Sequence, residues 1–272
     1  MKTSLVVKDL GHCYGGRSVL NAVSFSVQEG EFFIVIGPNG SGKTTLVKTI
    51  SGTLRPQRGQ LEILGRPIRS YSGKALARSV AVVPQPPPAD VPFTVAEVVL
   101  MGRSPHLSLL AIEKRKDLEL AQCAMSFTNV EHLAGRRFDQ LSAGERQRAF
   151  IARAICQQPR IIVLDEPTAP LDLAHQINVM DLLERLRMEE KITIIMVSHD
   201  LNLAGLYADR LLLLKEGRVL SLGKPEEVLT FQTLEQAYGC VLLVDENPVK
   251  KVPRVTLVPN SILHTGFKPG QV

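Results

Sequence analysis

The sequence predicts an α/β fold, with a parallel sheet, an N-terminal antiparallel β subdomain and an inserted α-helical subdomain. The first observation is a set of short apolar runs at residues 32–36, 161–164 and 192–197, which are typical of strands buried on both faces of a parallel sheet. The second is strand-like alternation within residues 4–36. The third is a stretch with helical patterns and no convincing strand, which covers residues 94–157.

The N-terminal alternation is clearest at Val23, Phe25 and Val27, where apolar and polar residues take turns. This period of two favours a strand with one buried face, so an antiparallel β region is expected to open the domain. The next apolar strand enters a glycine-rich loop, and a helix is expected to begin near Thr44.

The middle of the chain is marked by five prolines between Pro84 and Pro92, which deny the backbone regular hydrogen bonds and mark the connection to the helical subdomain. The α/β pattern resumes at Arg160. The helix after the second strand is expected to bury one face, formed by Val179, Leu182, Leu183 and Leu186. Alternating strands and helices imply parallel pairing. After about Asp245 the pattern decays into a tail with one strand-like patch at residues 254–258.

The composition, with 44% hydrophobic and 22% charged residues, is that of an ordinary globular protein. The net charge is +5, but the sequence contains no run of basic residues and no series of aromatic residues interleaved with basic ones. A nucleic-acid partner is therefore not expected. The chain lacks the roughly 20 apolar residues of a membrane helix and the apolar region of a secretory signal, so it is expected in the cytoplasm. Four cysteines without a C-x-x-C pair are expected to be reduced core residues.

Residues 37–44, Gly-Pro-Asn-Gly-Ser-Gly-Lys-Thr, match the phosphate-binding pattern G-x-x-x-x-G-K-[ST] between a predicted strand and a predicted helix. Backbone N–H groups of such a loop surround a β-phosphate, and the helix N-terminus adds positive potential. Lys43 is expected to reach the β and γ oxygens and Thr44 to ligate Mg²⁺. The fold class is therefore a P-loop NTPase core. The expected nucleotide-binding residues of this segment are Gly37, Pro38, Asn39, Gly40, Ser41, Gly42, Lys43, Thr44 and Thr45.

Two carboxylates end the second buried strand. Asp165 is expected to hold the magnesium shell through water, and Glu166 to polarise the attacking water as general base. His199, after the third strand, is expected to contact the γ-phosphate and that water. A hydrolase triad of Ser198, His199 and Asp200 is rejected, because consecutive residues at a strand end point in divergent directions.

Residues 141–148, Leu-Ser-Ala-Gly-Glu-Arg-Gln-Arg, resemble the signature motif of ATP-binding cassette (ABC) ATPases and precede the acidic strand as in that family. Ser142 and Glu145 form an S-x-x-E capping box, so a helix is expected to begin here with its positive dipole end free. The resemblance implies that Ser142, Gly144 and Glu145 contact a nucleotide held by an opposite protomer. It thereby implies two ATP sites shared across a head-to-tail homodimer.

Further positions follow from the resemblance alone. Tyr14 resembles the aromatic residue that stacks on adenine, a contact worth roughly 1–3 kcal/mol. Gln85 resembles the glutamine that links magnesium to the helical subdomain and takes part in catalysis, and Asp172 resembles part of the loop that couples the protomers. Two departures from the family pattern are Ala143, where a second glycine is usual, and Ala169-Pro170, which replace a commoner Ser-Ala.

The resemblance also divides the chain. It implies an ABC ATPase domain over residues 1–244, with a RecA-like core at 1–87 and 158–244 and a helical subdomain at 88–157. Residues 245–272 form a C-terminal tail to which the sequence assigns no role.

Within the family, residues 71–77 and residues 94–106, which end in Met-Gly-Arg-Ser-Pro-His, resemble ATPases of importers for iron chelates, haem and vitamin B12. The resemblance implies an ATP-hydrolysing motor at the cytoplasmic face of the inner membrane. A multi-span permease would hold it there, and a substrate-binding protein would act indirectly.

Three alternatives stay open: an importer ATPase for another solute such as molybdate, a soluble ABC ATPase acting on nucleic acid or ribosomes, and a P-loop kinase or GTPase. The signature motif and the adjacent Asp165 and Glu166 argue against the last.

Overall fold

The computed structural model describes residues 2–85, 92–107, 113–169, 171–259 and 261. Its strands are β1 (Thr3–Tyr14), β2 (Arg17–Gln28), β3 (Phe32–Ile36), β4 (Arg58–Ile63), β5 (Arg66–Pro67), β6 (Val80–Val83), β7 (Ile161–Asp165), β8 (Thr193–Val197), β9 (Arg210–Lys215), β10 (Arg218–Gly223), β11 (Leu242–Glu246) and β12 (Pro253–Leu257). Its α-helices are α1 (Lys43–Ile50), α2 (Gly73–Ser79), α3 (Val95–Leu100), α4 (Arg115–Phe127), α5 (Ala143–Cys156), α6 (Leu173–Glu190), α7 (Leu201–Tyr207), α8 (Pro225–Val228) and α9 (Phe231–Tyr238). Short 3₁₀ segments cover Ile68–Ser70, Met101–His106, Glu131–Leu133 and Phe138–Gln140.

The central sheet has the order β10-β9-β3-β8-β7-β6, and only the β9–β10 pair within it is antiparallel. Every residue of β3 and β8 is buried, as expected for parallel strands covered on both faces. The α/β prediction is confirmed. The predicted strands differ from β7 and β8 only at their ends, and α1 begins one residue before the predicted start.

Three strands of this sheet, β6, β9 and β10, were not predicted from the sequence. β6 was missed because it has only four residues and follows α2 directly, with Val82 exposed at the sheet edge. β9 and β10 form a hairpin on the opposite edge. The leucine run of β9 is equally compatible with a buried helix segment, because a short apolar run carries no period.

An antiparallel sheet of order β2-β1-β4-β5 forms the N-terminal region, as predicted. It shares one hydrophobic core with α1 and one face of the central sheet, and the rings of Phe25 and Phe33 stack across this core at 5.3 Å. The other face of the central sheet packs against the helices, including the predicted apolar face of α6, which is buried at Val179, Leu182, Leu183 and Leu186. The phosphate-binding helix α1 is thus held between two sheets.

The described residues between 92 and 157 form helices joined by short turns, with no β-strand and one isolated bridge between Thr94 and Arg137. Helices α3, α4 and α5 pack on one another. A buried ion pair between Arg103 and Asp117, with Nε and Oδ1 2.9 Å apart, links the 3₁₀ segment Met101–His106 to α4. Of the five predicted connecting prolines, Pro86, Pro87 and Pro88 lie outside the described residues, as does Pro170.

The C-terminal patch forms a strand, β12, which pairs with β11. The predicted boundary between the ATPase domain and the C-terminal tail, after residue 244, falls inside β11, which covers Leu242–Glu246. Residues 262–272 of the predicted tail lie outside the described residues. The four cysteines are free, but only Cys156 is buried, while Cys123 and Cys240 are exposed, so the expectation of core positions was wrong for these two. Among the described residues, no helix is both long and apolar enough to cross a membrane.

Candidate active site

A cavity of about 520 Å³ lies where β3, β7 and β8 end. The carboxyl ends of parallel strands meet at one edge of a sheet, so the loops that follow them come together there. The cavity is lined by Tyr14, Arg17, Ser18, Val19, Asn39, Gly40, Gly42, Lys43, Thr44, Thr45, Glu166, His199 and Glu216. The structure thus brings the phosphate-binding loop, Glu166, His199 and Tyr14 around one space.

The loop between β3 and α1 requires glycine at its two ends. Gly37 has φ +147°, and a Cβ there would lie 2.2 Å from Leu214 O. Gly42 has φ +102°, and a Cβ there would lie 2.8 Å from Val19 O. These close approaches to β9 and β2 fix the loop against both sheets, and α1, which begins at Lys43, lines the cavity with its first three residues.

Lys43 folds back over this loop. Its Nζ donates to Gly37 O at 2.8 Å and to Pro38 O at 3.0 Å. Burial lowers the pKa of the Lys43 ammonium, while the charges of Glu166 and Asp165 oppose this shift. Ser41 Oγ is buried in the same loop and has no hydrogen-bond partner within the described residues. The loop therefore offers the Lys43 ammonium and the Ser41 hydroxyl to an anion. A bound phosphate would replace the carbonyl oxygens of Gly37 and Pro38 as the hydrogen-bond acceptors of Lys43.

The acidic pair sits at the end of β7. Burial, and then the neighbouring charge of Glu166, raise the pKa of Asp165. Asp165 Oδ1 is buried and has no hydrogen-bond partner within the described residues. Such an orphaned carboxylate oxygen fits a divalent cation. Asp165 itself does not line the cavity, whereas its neighbour Glu166 and Thr44 do. The described residues contain no cluster of three or more His, Cys, Asp or Glu that could hold a metal ion.

Glu166 has φ +48°, a left-handed conformation that is uncommon for a residue with a side chain. Its backbone N–H donates to Val197 O at 3.2 Å, which ties the turn after β7 to the end of β8. Its Oε1 contacts His199 Nε2. The strained turn therefore aims the Glu166 carboxylate at the histidine that follows the neighbouring strand.

Tyr14 ends β1 and is 47% exposed at the cavity mouth, so it is not the core residue that its type alone would suggest. Its ring meets the His12 ring edge-on, with centroids 4.7 Å apart. Sequence reasoning missed four lining residues, which are Arg17, Ser18, Val19 and Glu216. They come from the start of β2 and from the β9–β10 turn. Tertiary packing brings them to the cavity, so no local sequence pattern could predict them.

The signature segment forms the N-terminus of α5 and does not line the cavity. The capping box is present: Ser142 N–H donates to Glu145 Oε2 at 2.7 Å, and Glu145 N–H donates to Ser142 Oγ at 3.3 Å. The bond from Ser142 N–H also lowers the pKa of the Glu145 carboxyl. Ser142 is exposed, so this helix end faces solvent within one chain.

Asp172 and Gln85 also lie outside the cavity lining. Asp172 caps α6, with its Oδ1 accepting from His175 N–H at 2.9 Å and lying 2.7 Å from His175 Nδ1. The His175 ring covers Gly144, where a Cβ would lie 2.4 Å from His175 Cδ2. This contact, which the sequence did not indicate, joins the Asp172 loop to the signature helix. Gln85 follows β6 and is exposed.

Comparisons with known proteins identify the family of this chain. Residues 20–169 match the family model described as ABC transporter. The ferric enterobactin transport ATP-binding protein FepC of Escherichia coli (strain K12) is 38% identical over 242 residues, which cover 89% of each chain. The hemin import ATP-binding protein HmuV of Gloeobacter violaceus is 40% identical over 265 residues, which cover 94% of this chain and 95% of the relative.

Two solved structures are also similar. A chain of an inward-facing ABC transporter described as metal-chelate type has a TM-score of 0.85 and 31% identity, over 96% of this chain and 100% of that chain. A bacterial ABC transporter cassette solved as a dimer has a TM-score of 0.71 and 29% identity, over 81% of this chain and 98% of that chain. With a family model across more than half of its length and relatives across nearly all of it, this chain belongs to the ATP-binding cassette transporter ATPases.

Proposed function

We propose that this chain is the ATP-hydrolysing motor subunit of an importer of a metal chelate, such as a ferric siderophore, haem or cobalamin. The observation that carries the motor role is the convergence of Lys43, Glu166 and His199 on one cavity behind a phosphate-binding loop. The cargo class rests on the relatives, whose names include ferric enterobactin transport and hemin import. Residues 71–77 and 94–106 support the same subgroup.

In the proposed mechanism, the loop from Gly37 to Thr45 and the N-terminus of α1 hold the phosphates, while Lys43 exchanges its loop carbonyls for β and γ oxygens. Tyr14 stacks on the base at the cavity mouth. Thr44, Asp165 and Gln85 would hold Mg²⁺, which would neutralise the phosphate charge. Asp165 suits this role because its buried Oδ1 has no hydrogen-bond partner among the residues that the structure describes.

Glu166 is the proposed general base. It accepts a proton from water as the water oxygen bonds to the γ-phosphorus, and the bond to the β–γ bridging oxygen breaks with its electrons passing to ADP. His199 Nε2 holds the Glu166 carboxylate in place. The histidine would also contact the γ-phosphate of bound ATP. Lys43 stabilises the charge that develops on the phosphate oxygens.

The proposed working unit is a head-to-tail homodimer. Ser142, Gly144 and Glu145 do not line the cavity of their own chain, and Ser142 is exposed, which supports a role for this helix end in closing the cavity of a second copy. Their exposed helix end would supply N–H donors and a positive dipole to the γ-phosphate. Asp172 would couple the two protomers from the adjoining loop.

The proposed domain division keeps the RecA-like core at residues 1–87 and 158–244 and the helical subdomain at 88–157. The segment after Gln85 through His106 is proposed to dock a multi-span permease, which would hold the motor at the cytoplasmic face of the inner membrane. A substrate-binding protein would deliver the chelate to that permease, so cargo specificity would reside outside this chain.

Deleting the gene and measuring uptake of a labelled ferric siderophore, haem, cobalamin and molybdate separately tests the cargo. We expect loss of uptake of one metal chelate, restored by the wild-type chain and not by Glu166→Gln. Loss of molybdate uptake alone would contradict the chelate assignment and leave the motor assignment intact. ATPase activity stimulated by nucleic acid, without a co-purifying permease, would contradict both.

A further inference from the structure

The C-terminal hairpin of β11 and β12 packs against α7, the helix that directly follows His199. Val255 of β12 is buried in the same core as Leu203 of α7. The backbones approach closely at Gly205, where a Cβ would lie 3.1 Å from Pro253 O. The hairpin and the helix therefore form one packed unit.

One side chain joins the two elements by a pair of hydrogen bonds. Asn202 Oδ1 accepts from Val255 N–H at 2.8 Å, and Asn202 Nδ2 donates to Val255 O at 3.1 Å. The side-chain amide thus pairs with the β12 backbone as a residue of a neighbouring strand would. Lys250, between the hairpin strands, donates to Leu206 O at the other end of α7. Both ends of α7 are fixed to the hairpin.

His199 lies between the central sheet and the first turn of α7. On the sheet side, Ser198 N–H donates to Val35 O at 3.1 Å. On the helix side, Asp200 caps α7, and its N–H donates to Ser198 Oγ at 3.1 Å. A shift of the first turn of α7 would therefore move the His199 ring relative to Glu166, its contact in the cavity.

We infer that the hairpin, residues 242–257, positions the catalytic histidine: it holds α7 through the Asn202–Val255 pair and thereby keeps His199 against Glu166. The inference rests on the proposed roles of Glu166 and His199. Asn202 is a positioning residue, because its partners are backbone atoms of β12 and it does not line the cavity. The hairpin thus gains a role in turnover, although it lies outside the phosphate-binding loop.

Steady-state ATP hydrolysis by the full-length chain tests this role. We expect Asn202→Ala to lower kcat about tenfold, because a displacement of a fraction of an ångström at a catalytic group is costly. The KM for ATP should stay within about twofold, since the phosphate-binding loop is untouched. The matched control is Asp245→Ala, which removes the exposed bond from Arg254 Nε to Asp245 Oδ1, at 2.8 Å, within the same hairpin. Its kcat should stay within about twofold of wild type.

Gly205→Ala provides a second, independent variant. Alanine favours the helix more than glycine does, so the thermal midpoint should not fall far, while the added methyl presses on the hairpin at Pro253 and on Leu229. A lower kcat with a nearly unchanged midpoint supports the positioning role. Wild-type kcat in both Asn202→Ala and Gly205→Ala overturns it.

His199→Ala separates this inference from the proposed site. If His199→Ala abolishes hydrolysis and Asn202→Ala does not lower it, only the hairpin role fails. If His199→Ala itself hydrolyses ATP at the wild-type rate, the site assignment fails first. An equal fall of kcat, ATP affinity and thermal midpoint in Asn202→Ala would indicate general destabilisation and would also overturn the positioning role.

Discussion

The cavity at the end of the central sheet and the exposed N-terminus of α5 differ in how far one chain completes them. In the cavity, Lys43 already contacts loop carbonyls and Glu166 already contacts His199. At α5, Ser142 and Glu145 satisfy each other and the helix end faces solvent. The chemical groups of the cavity are thus pre-organised within one chain, whereas closure over the nucleotide, as proposed, would require a second copy.

The largest effect on turnover should come from changes in the pre-organised cavity. We expect Glu166→Gln to bind ATP normally and to lose about a thousandfold in turnover, which corresponds to about 4 kcal/mol of transition-state stabilisation. The reason is that the amide keeps the shape of the cavity but cannot accept a proton. Nucleotide-binding titration beside single-turnover hydrolysis measures both quantities. Lys43→Ala is the matched comparison and should weaken ATP binding as well; turnover of Glu166→Gln within threefold of wild type would reject Glu166 as the base.

The dependence on a second copy should appear as assembly. With ATP bound and hydrolysis blocked by Glu166→Gln, we expect the chain to dimerise at micromolar concentration, because the nucleotide binds the closed dimer better than the separate chains. Light scattering with and without ATP measures the doubling of mass. Lys43→Ala should stay monomeric as the control. A monomer at saturating ATP, even with the permease present, would contradict the shared site.

A smaller effect is expected at the contact between the signature helix α5 and the His175 ring of α6. Gly144→Ala places a methyl group into the His175 ring, so we expect a loss of turnover of about tenfold through displacement of the Asp172 loop. His175→Ala makes room for that methyl group and should restore part of the loss. A double-mutant cycle on kcat measures the coupling. Independent, multiplicative losses would show that this contact carries no coupling.

The smallest expected effect is on thermal stability, and it concerns Asp165 in the nucleotide-free chain. Its raised pKa means that ionisation costs more in the folded chain than in the unfolded chain, so at neutral pH the charge is destabilising. We expect Asp165→Asn to raise the thermal midpoint while hydrolysis is lost. The difference should shrink as the pH falls through the raised pKa of the folded chain, and it should vanish below the ordinary carboxyl pKa, where the wild-type group is protonated in both states. A midpoint that falls at neutral pH would contradict the burial argument.

The sequence predicted the parts of this molecule that depend on local pattern. The strands at residues 32–36 and 161–164 were found because parallel strands buried on both faces are wholly apolar, and the phosphate-binding loop because its spacing is fixed by the phosphate it surrounds. The four-residue β6 and the His175–Gly144 contact were missed because they depend on packing between distant segments. The same reason hid Glu216 at the cavity.

The left-handed backbone at Glu166 has a consequence for anyone who tries to improve this protein. A glycine or asparagine would adopt φ +48° at less cost than glutamate, by an amount on the order of 1–3 kcal/mol for strained positions of this kind. Selection of variants for heat resistance or expression yield alone would therefore favour replacing the proposed base. A directed-evolution library should hold residue 166 constant, or assay ATP hydrolysis in every round.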